Sequence, residues 1–185
     1  MTKLLTIFML ATLSACGQTE SKQVSEKKSD LPTNNEWKTL EQSNYSIQYP
    51  SSWTPNENGQ LGMKFIILSP KESPQDKFSE NVNLLIQDLT GENVDLNKYV
   101  EISENQIKTL ATNLDFIESK RIKSGTSEYH RLIYSADQGI FHLKYEQFYL
   151  VNKESVYVLT FTSEQNKFTD FKETGEKILN SFRLK

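Results

Sequence analysis

Between residues 128 and 162 the chain runs through three long stretches rich in β-branched and aromatic residues. They are interrupted only by Asp137-Gln138-Gly139 and Asn152-Lys153-Glu154. Side chains of a strand alternate between two faces, and tight turns rich in Asn, Asp and Gly join antiparallel neighbours. This segment is therefore expected to form a meander of strands 128–134, 140–151 and 155–162. Further strands are expected at 45–49, 63–68, 82–89 and 116–122, which share the same residue types. A sheet of this kind must bury a face, so the rest of the chain has to supply cover.

Two stretches have helical spacing. In the first, Leu96, Tyr99, Val100, Ile107, Leu110 and Leu114 recur every three to four residues behind Asp95, a residue type that caps helix N-termini. In the second, Phe168, Phe171, Ile178, Leu179 and Phe182 form one stripe, with Ser163 as a candidate cap. The fold expected is α+β: an antiparallel sheet of six to seven strands flanked by helices in an α/β/α sandwich. Ten Phe, eight Tyr and two Trp supply its core, while one Cys and seven Gly in 185 residues exclude disulfide-stapled and collagen-like classes. The net charge of −3 argues against nucleic acid as a partner, because phosphates call for a basic face.

The N-terminus reads as an address. Residues 1–16 (MTKLLTIFMLATLSAC) place a cation, Lys3, before an apolar run from Leu4 to Leu13 and then small residues up to Cys16. About ten apolar residues are too few to cross a bilayer but suit the core of an export signal. Leu13-Ser14-Ala15-Cys16 resembles the bacterial lipobox, in which a diacylglyceryl group joins the Cys sulfur and cleavage leaves that Cys first. Residues 1–15 are thus expected to be a signal peptide and Cys16 the lipid-attachment site, with no other Cys to pair with it. Each buried methylene contributes about 0.8 kcal/mol, so acyl chains on Cys16 would hold the protein on a bilayer. Residues 16–35 are then the lipidated Cys and a flexible tether of polar composition, with a reach of roughly 22–26 Å as a random coil. One domain, 36–185, follows.

Chemistry-bearing patterns are sparse. A shared metal on His130 and His142 is not expected: pairing Ser135 with Ile140 across the hairpin puts the two imidazoles on opposite faces, and a one-residue slip leaves them roughly 13 Å apart. The carboxylates lack calcium-loop spacing, and there is no Gly-x-Ser-x-Gly elbow, no Gly-rich phosphate loop and no Cys nucleophile in the domain. No catalytic residue, metal or cofactor is expected, and the chain reads as a non-enzyme.

Several phrases together resemble the PsbP-like family of bacterial lipoproteins, within the superfamily that shares the fold of the photosystem II protein PsbP. They are Tyr45-Ser46-Ile47-Gln48-Tyr49-Pro50 with Trp53, then Asn81-Val82-Asn83-Leu84-Leu85-Ile86, and Gly125 before the strand at 129–134. Gln147-Phe148-Tyr149, Val156-Tyr157-Val158-Leu159-Thr160-Phe161-Thr162 and Ile178-Leu179-Asn180-Ser181-Phe182 complete the set. The resemblance implies an antiparallel sheet of about six strands between helices, usually without enzyme activity and often exported on a lipid. The opening strand lacks the Asp-Gly that precedes the Tyr-Pro phrase in the photosynthetic branch, which disfavours a photosystem role. The expected function is a membrane-anchored envelope lipoprotein that binds a protein or supports an assembly. Its anchorage would face the periplasm from the outer membrane in a diderm host, or the outside of the cell membrane otherwise. The surface expected to do so is loop 69–80 (SPKESPQDKFSE) with the exposed face of the 140–162 hairpin. The alternative is a carrier of a small apolar ligand lined by Phe148, Leu159, Phe161, Phe168 and Phe171.

Overall fold

A computed structural model describes residues 36–124 and 127–185. The expected signal segment, Cys16, the expected tether and Gly125 lie outside the described residues. Seven strands form the main sheet: β3 (Thr54–Asn56), β4 (Met63–Leu68), β5 (Asn81–Asp88), β6 (Thr112–Ser124), β7 (Ser127–Gln138), β8 (Phe141–Asn152) and β9 (Ser155–Glu164). Their order in space is β3-β4-β5-β9-β8-β7-β6, antiparallel throughout. Helix α1 (Leu96–Leu110) carries the chain from β5 to the far edge, and the meander β6 to β9 returns to pair with β5. After β9 comes α2 (Phe168–Asn180).

The main sheet is buried on both sides, with α1 over one face and α2 over the other. Eight consecutive residues of β9, from Val156 to Ser163, are accordingly buried. The α2 face carries Phe65, Ile67, Val82, Leu84, Phe148, Leu159 and Phe161 against Phe168, Ile178 and Leu179. Gly175 of α2 lies directly on the Phe161 ring: a Cβ there would come within 2.7 Å of three ring atoms. This close approach is why a glycine sits in mid-helix despite its cost of about 1 kcal/mol in propensity. The opposite face carries Leu132, Tyr134, Leu143, Tyr145, Tyr149, Val156 and Val158 against Tyr99, Val100 and Ile107 of α1.

Three short strands, β3 and the two that flank the expected strand at 45–49, are additional to the expected set. Strands β1 (Trp37–Glu41), β2 (Tyr45–Pro50) and β10 (Arg183–Leu184) form a second sheet in the order β1-β2-β10, which shares the α2 side of the core through Leu40, Tyr45, Ile47 and Tyr49. Pro50 ends β2 and Trp53 turns back, its amide on the Pro50 carbonyl at 2.9 Å and its ring edge-on to Phe171.

Asp95 caps α1, its carboxylate accepting from the Lys98 amide at 2.8 Å. Two helix expectations are corrected. Leu114 belongs to β6, because α1 ends at Leu110, which is exposed, and Asn113 takes a left-handed φ of 52°. Ser163 is no cap: it is the buried penultimate residue of β9, hydrogen-bonded to Glu80, and α2 starts after Lys167 with no side-chain cap. Among the described residues no helix is long and apolar enough to cross a membrane.

Candidate functional site

At the end of the sheet where β4, β7 and β9 finish, three connections converge. They are loop 69–80, the two-residue turn Gly139-Ile140 between β7 and β8, and the junction from β9 to α2. The turn takes this form because Gln138 pairs with Phe141 and only Gly139, with φ 61°, must be left-handed. The three connections enclose an open cleft of about 400 Å³ whose lining includes Glu72, Asp76, Lys77, Ile140, Glu164 and Lys167.

Loop 69–80 is well tied down. The Asp76 carboxylate accepts from the amides of Glu72 (3.1 Å) and Phe78 (3.2 Å), and the Lys71 ammonium donates to the Asp76 carbonyl at 3.0 Å. Lys167, at the start of α2, reaches Glu72 at 2.9 Å, Glu164 at 3.2 Å and Asp76 at 3.4 Å. Burial works to raise the Asp76 carboxyl, but the two amides and the ammonium outweigh it and hold the group below its usual range. Hydrogen bonds to Glu72 chiefly, then to Glu164 and Asp76, hold the Lys167 ammonium well above its ordinary value. Beneath them Glu80 is fully buried between the hydroxyls of Ser69 (3.3 Å) and Ser163 (3.4 Å), and desolvation raises its carboxyl.

The two halves of the expected surface thus meet, but only at the turn between β7 and β8. Phe78 of the loop packs on Phe141 with ring centroids 5.3 Å apart, and Ile140 beside them is 77% exposed. Beyond His142 the strands β8 and β9 have no exposed face, since α1 and α2 cover their two sides, and only Lys153 and Glu154 at the opposite turn are exposed; that part of the expectation is corrected. Two of the aromatics expected to line a carrier are in contact: the Phe161 and Phe168 rings are tilted with centroids 5.4 Å apart, and Gly175 lies against the Phe161 ring.

His142 pairs with Asp137 and His130 with Tyr149. The imidazoles therefore point to opposite faces, roughly 23 Å apart along the strands. His142 Nδ1 contacts the Asp137 carboxylate at the hairpin tip. His130 Nε2 lies 2.9 Å from Ser119 Oγ, a contact that sequence reading missed because its two residues sit on different strands and meet only through the β6–β7 register. Ser119 Oγ also lies 2.6 Å from Glu104 of α1. A carboxylate only accepts and a hydroxyl has one proton, so Ser119 donates to Glu104 and His130 Nε2 must be the donor to Ser119. That direction of hydrogen bonding is the reverse of what a base activating a serine requires. Burial, then the Arg121 guanidinium, keep the His130 imidazole below its ordinary value against the pull of Glu104. Among the described residues no group of three or more His, Cys, Asp or Glu could hold a metal ion.

Comparison with known proteins bears on this architecture. The solution structure of cyanobacterial PsbP (CyanoP) from Synechocystis sp. PCC 6803 superposes with a TM-score of 0.57 at 12% identity, covering 82% of this chain and 94% of that one. The crystal structure of LpqN, involved in cell envelope biogenesis of Mycobacterium tuberculosis, gives 0.58 at 12% identity over 80% and 90%. A Pseudomonas aeruginosa protein of unknown function, described as a putative regulator, gives 0.56 at 11% identity over 78% and 94%. At such identities the likeness is one of fold. No curated protein matches by sequence. A family model for PsbP-like protein matches residues 3–184, nearly the whole sequence, and the chain therefore belongs to the PsbP-like protein family.

Proposed function

We propose that the protein is a non-enzymatic cell-envelope lipoprotein, held on a membrane through acylated Cys16, whose PsbP-like domain binds another envelope protein at the cleft described above. The observation that carries this reading is Ile140: a large apolar side chain left 77% exposed on a two-residue turn, beside the Phe78–Phe141 pair. Exposing an apolar side chain forgoes about 1.5–3 kcal/mol of burial, which a partner that covers Ile140 and the adjoining ring pair would recover. Lys167 and Asp76 hold the loop that carries Phe78. The hydrogen-bond direction at Ser119 supports a non-enzymatic role, and the lipobox-like Leu13-Ser14-Ala15-Cys16 supports the anchor. That LpqN, a protein of similar fold, is involved in cell envelope biogenesis is compatible with an envelope setting.

The test has two arms in the native host. Cys16→Ala is expected to move the protein from the membrane to the soluble or precursor fraction; unchanged membrane partition overturns the anchor. Ile140→Lys, at an exposed position, is expected to leave the melting temperature unchanged and to lower recovery of a crosslinked envelope partner at least tenfold. Equal recovery overturns the docking surface.

A further inference from the structure

On the α2 face of the sheet, away from the cleft, Arg131 of β7 is surrounded by carboxylates from three other elements. Its Nε donates to Glu146 Oε1 of β8 at 2.7 Å and its Nη2 to Glu176 Oε1 of α2 at 2.7 Å, while Nη1 lies 3.4 Å from Glu118 Oε1 of β6. Lys172 of α2 is 3.7 Å from Glu176 and half exposed. Three acids thus face two cations, only one of which is inside. The Glu146 side chain is 0% exposed, and its Oε2 has no hydrogen-bond partner.

Nε and Nη2 form the guanidinium edge that ordinarily takes both oxygens of one carboxylate. Here two different carboxylates share it, which crowds Glu146 against Glu176. Carboxylates sharing one site do not both ionise readily, and a buried carboxylate oxygen without a donor is costly. The other residues aligned with Glu146 across the sheet, Ile133 on β7 and Phe161 on β9, offer it no side-chain donor. We propose that Glu146 takes up a proton more readily in the folded protein than in the unfolded chain and that this proton, by relieving the repulsion between Glu146 and Glu176, keeps α2 seated on the sheet, so that the seating of α2 responds to pH.

Burial raises the Glu146 carboxyl, the Glu176 charge adds to this, and Arg131 opposes without cancelling it. In the unfolded chain the same carboxyl titrates near 4.5. Between that value and its higher folded one the native state binds the extra proton, so stability falls as pH rises through the window. Ionised Glu146 repels Glu176, and the second half of α2 loosens.

The test is denaturant unfolding and amide hydrogen exchange of the full chain in detergent between pH 5.5 and 8.5. For the wild type the folding constant is expected to fall about tenfold over this range, with protection factors in the second half of α2 falling relative to those of α1. Glu146→Gln keeps an acceptor for Arg131 and cannot ionise. It is expected to flatten the pH response and to slow exchange at pH 8.5. Glu176→Gln, on the partly exposed helix surface, removes the repelling charge and is expected to shrink the response even if Glu146→Gln folds poorly. A carboxyl carbon resonance that titrates above the ordinary glutamate range and vanishes in Glu146→Gln would identify the group. A wild type with no pH response, or one undiminished in both variants, overturns the proposal.

Discussion

The two faces of the main sheet are built from the same strands yet hold their helices by different means. Away from the Arg131 cluster, the strands under α2 present Phe, Leu, Val and Ile, and the helix approaches so closely that Gly175 rests on the Phe161 ring. Under α1 they present Tyr134, Tyr145 and Tyr149, with Asn81, Asn83, Gln147, Thr160 and Thr162 buried on the same face. That polar set is wired: Tyr149 donates to Gln147, Gln147 to Thr160 at 3.1 Å, and Asn83 to Asn81 at 3.4 Å, while Tyr99 of α1 donates to Gln87 at 2.7 Å. Burial pushes the phenols of Tyr99, Tyr134, Tyr145 and Tyr149 well up, so all four remain neutral donors. Close packing gives the α2 side its stability, because contact energy scales with buried apolar area. The α1 side gains less per group but fixes which donors meet which acceptors, and an unmet partner there is costly.

The largest effect should come from breaking the apolar side. Phe161→Ala is expected to cost about 3–5 kcal/mol in denaturant unfolding. Its interaction with position 175 sharpens the contrast. Gly175→Ala alone should destabilise, since the new Cβ meets the ring at 2.7 Å and overpacking of about 1–3 kcal/mol outweighs the gain in helix propensity. In the Phe161→Ala background the same change should stabilise, because the obstructing ring is gone and only the propensity gain of about 1 kcal/mol remains. A substitution with one sign in both backgrounds would mean that α2 does not rest on Phe161.

On the polar side, Tyr149→Phe removes one oxygen and leaves the ring in place. Gln147 then keeps a buried acceptor without its donor, and the expected loss is about 1–2 kcal/mol. An unchanged unfolding midpoint would show that the phenol–amide wiring is incidental and that α1, too, is held by apolar contact.

Legibility in the sequence divides along similar lines. The bounds of β4 and the positions of the long strands follow from their β-branched and aromatic content, and the Asp95 cap from residue type. β1, β3 and β10 have two to five residues each, mostly not buried, so no period can establish itself. Leu114 and Ser163 misled for a shared reason: the strands run farther than their apolar cores, and a residue suited to a helix stripe or cap was already committed to β6 or β9. Loop 69–80 was visible as a polar, proline-bearing excursion, yet nothing in it announced that Phe78 meets Phe141. The Arg131 cluster was invisible for a related reason. Glu146 sits between Tyr145 and Gln147 in an alternating strand and reads as solvent-facing, and only the docking of α2 buries it. Contacts that depend on which element lands on which face are written in the register of distant strands, not in any local pattern.

The smallest expected effect tests how far α1 depends on its own ends. This helix buries only Tyr99, Val100, Ser103 and Ile107, and Leu110 of its last turn is exposed. A helix with so few anchors draws a larger share of its stability from capping, and losing an Asp N-cap costs about 1 kcal/mol. Asp95→Ala frees the Lys98 amide, and the expected result is faster hydrogen exchange in the first turn of α1 with the α2 amides unaffected. The change should be local, because Tyr99 remains held by Tyr149 in an edge-to-face contact at 5.4 Å and by its bond to Gln87. If exchange instead quickened equally in α1 and α2, the two faces would be one cooperative unit, and the difference in how they are built would carry no difference in how they open.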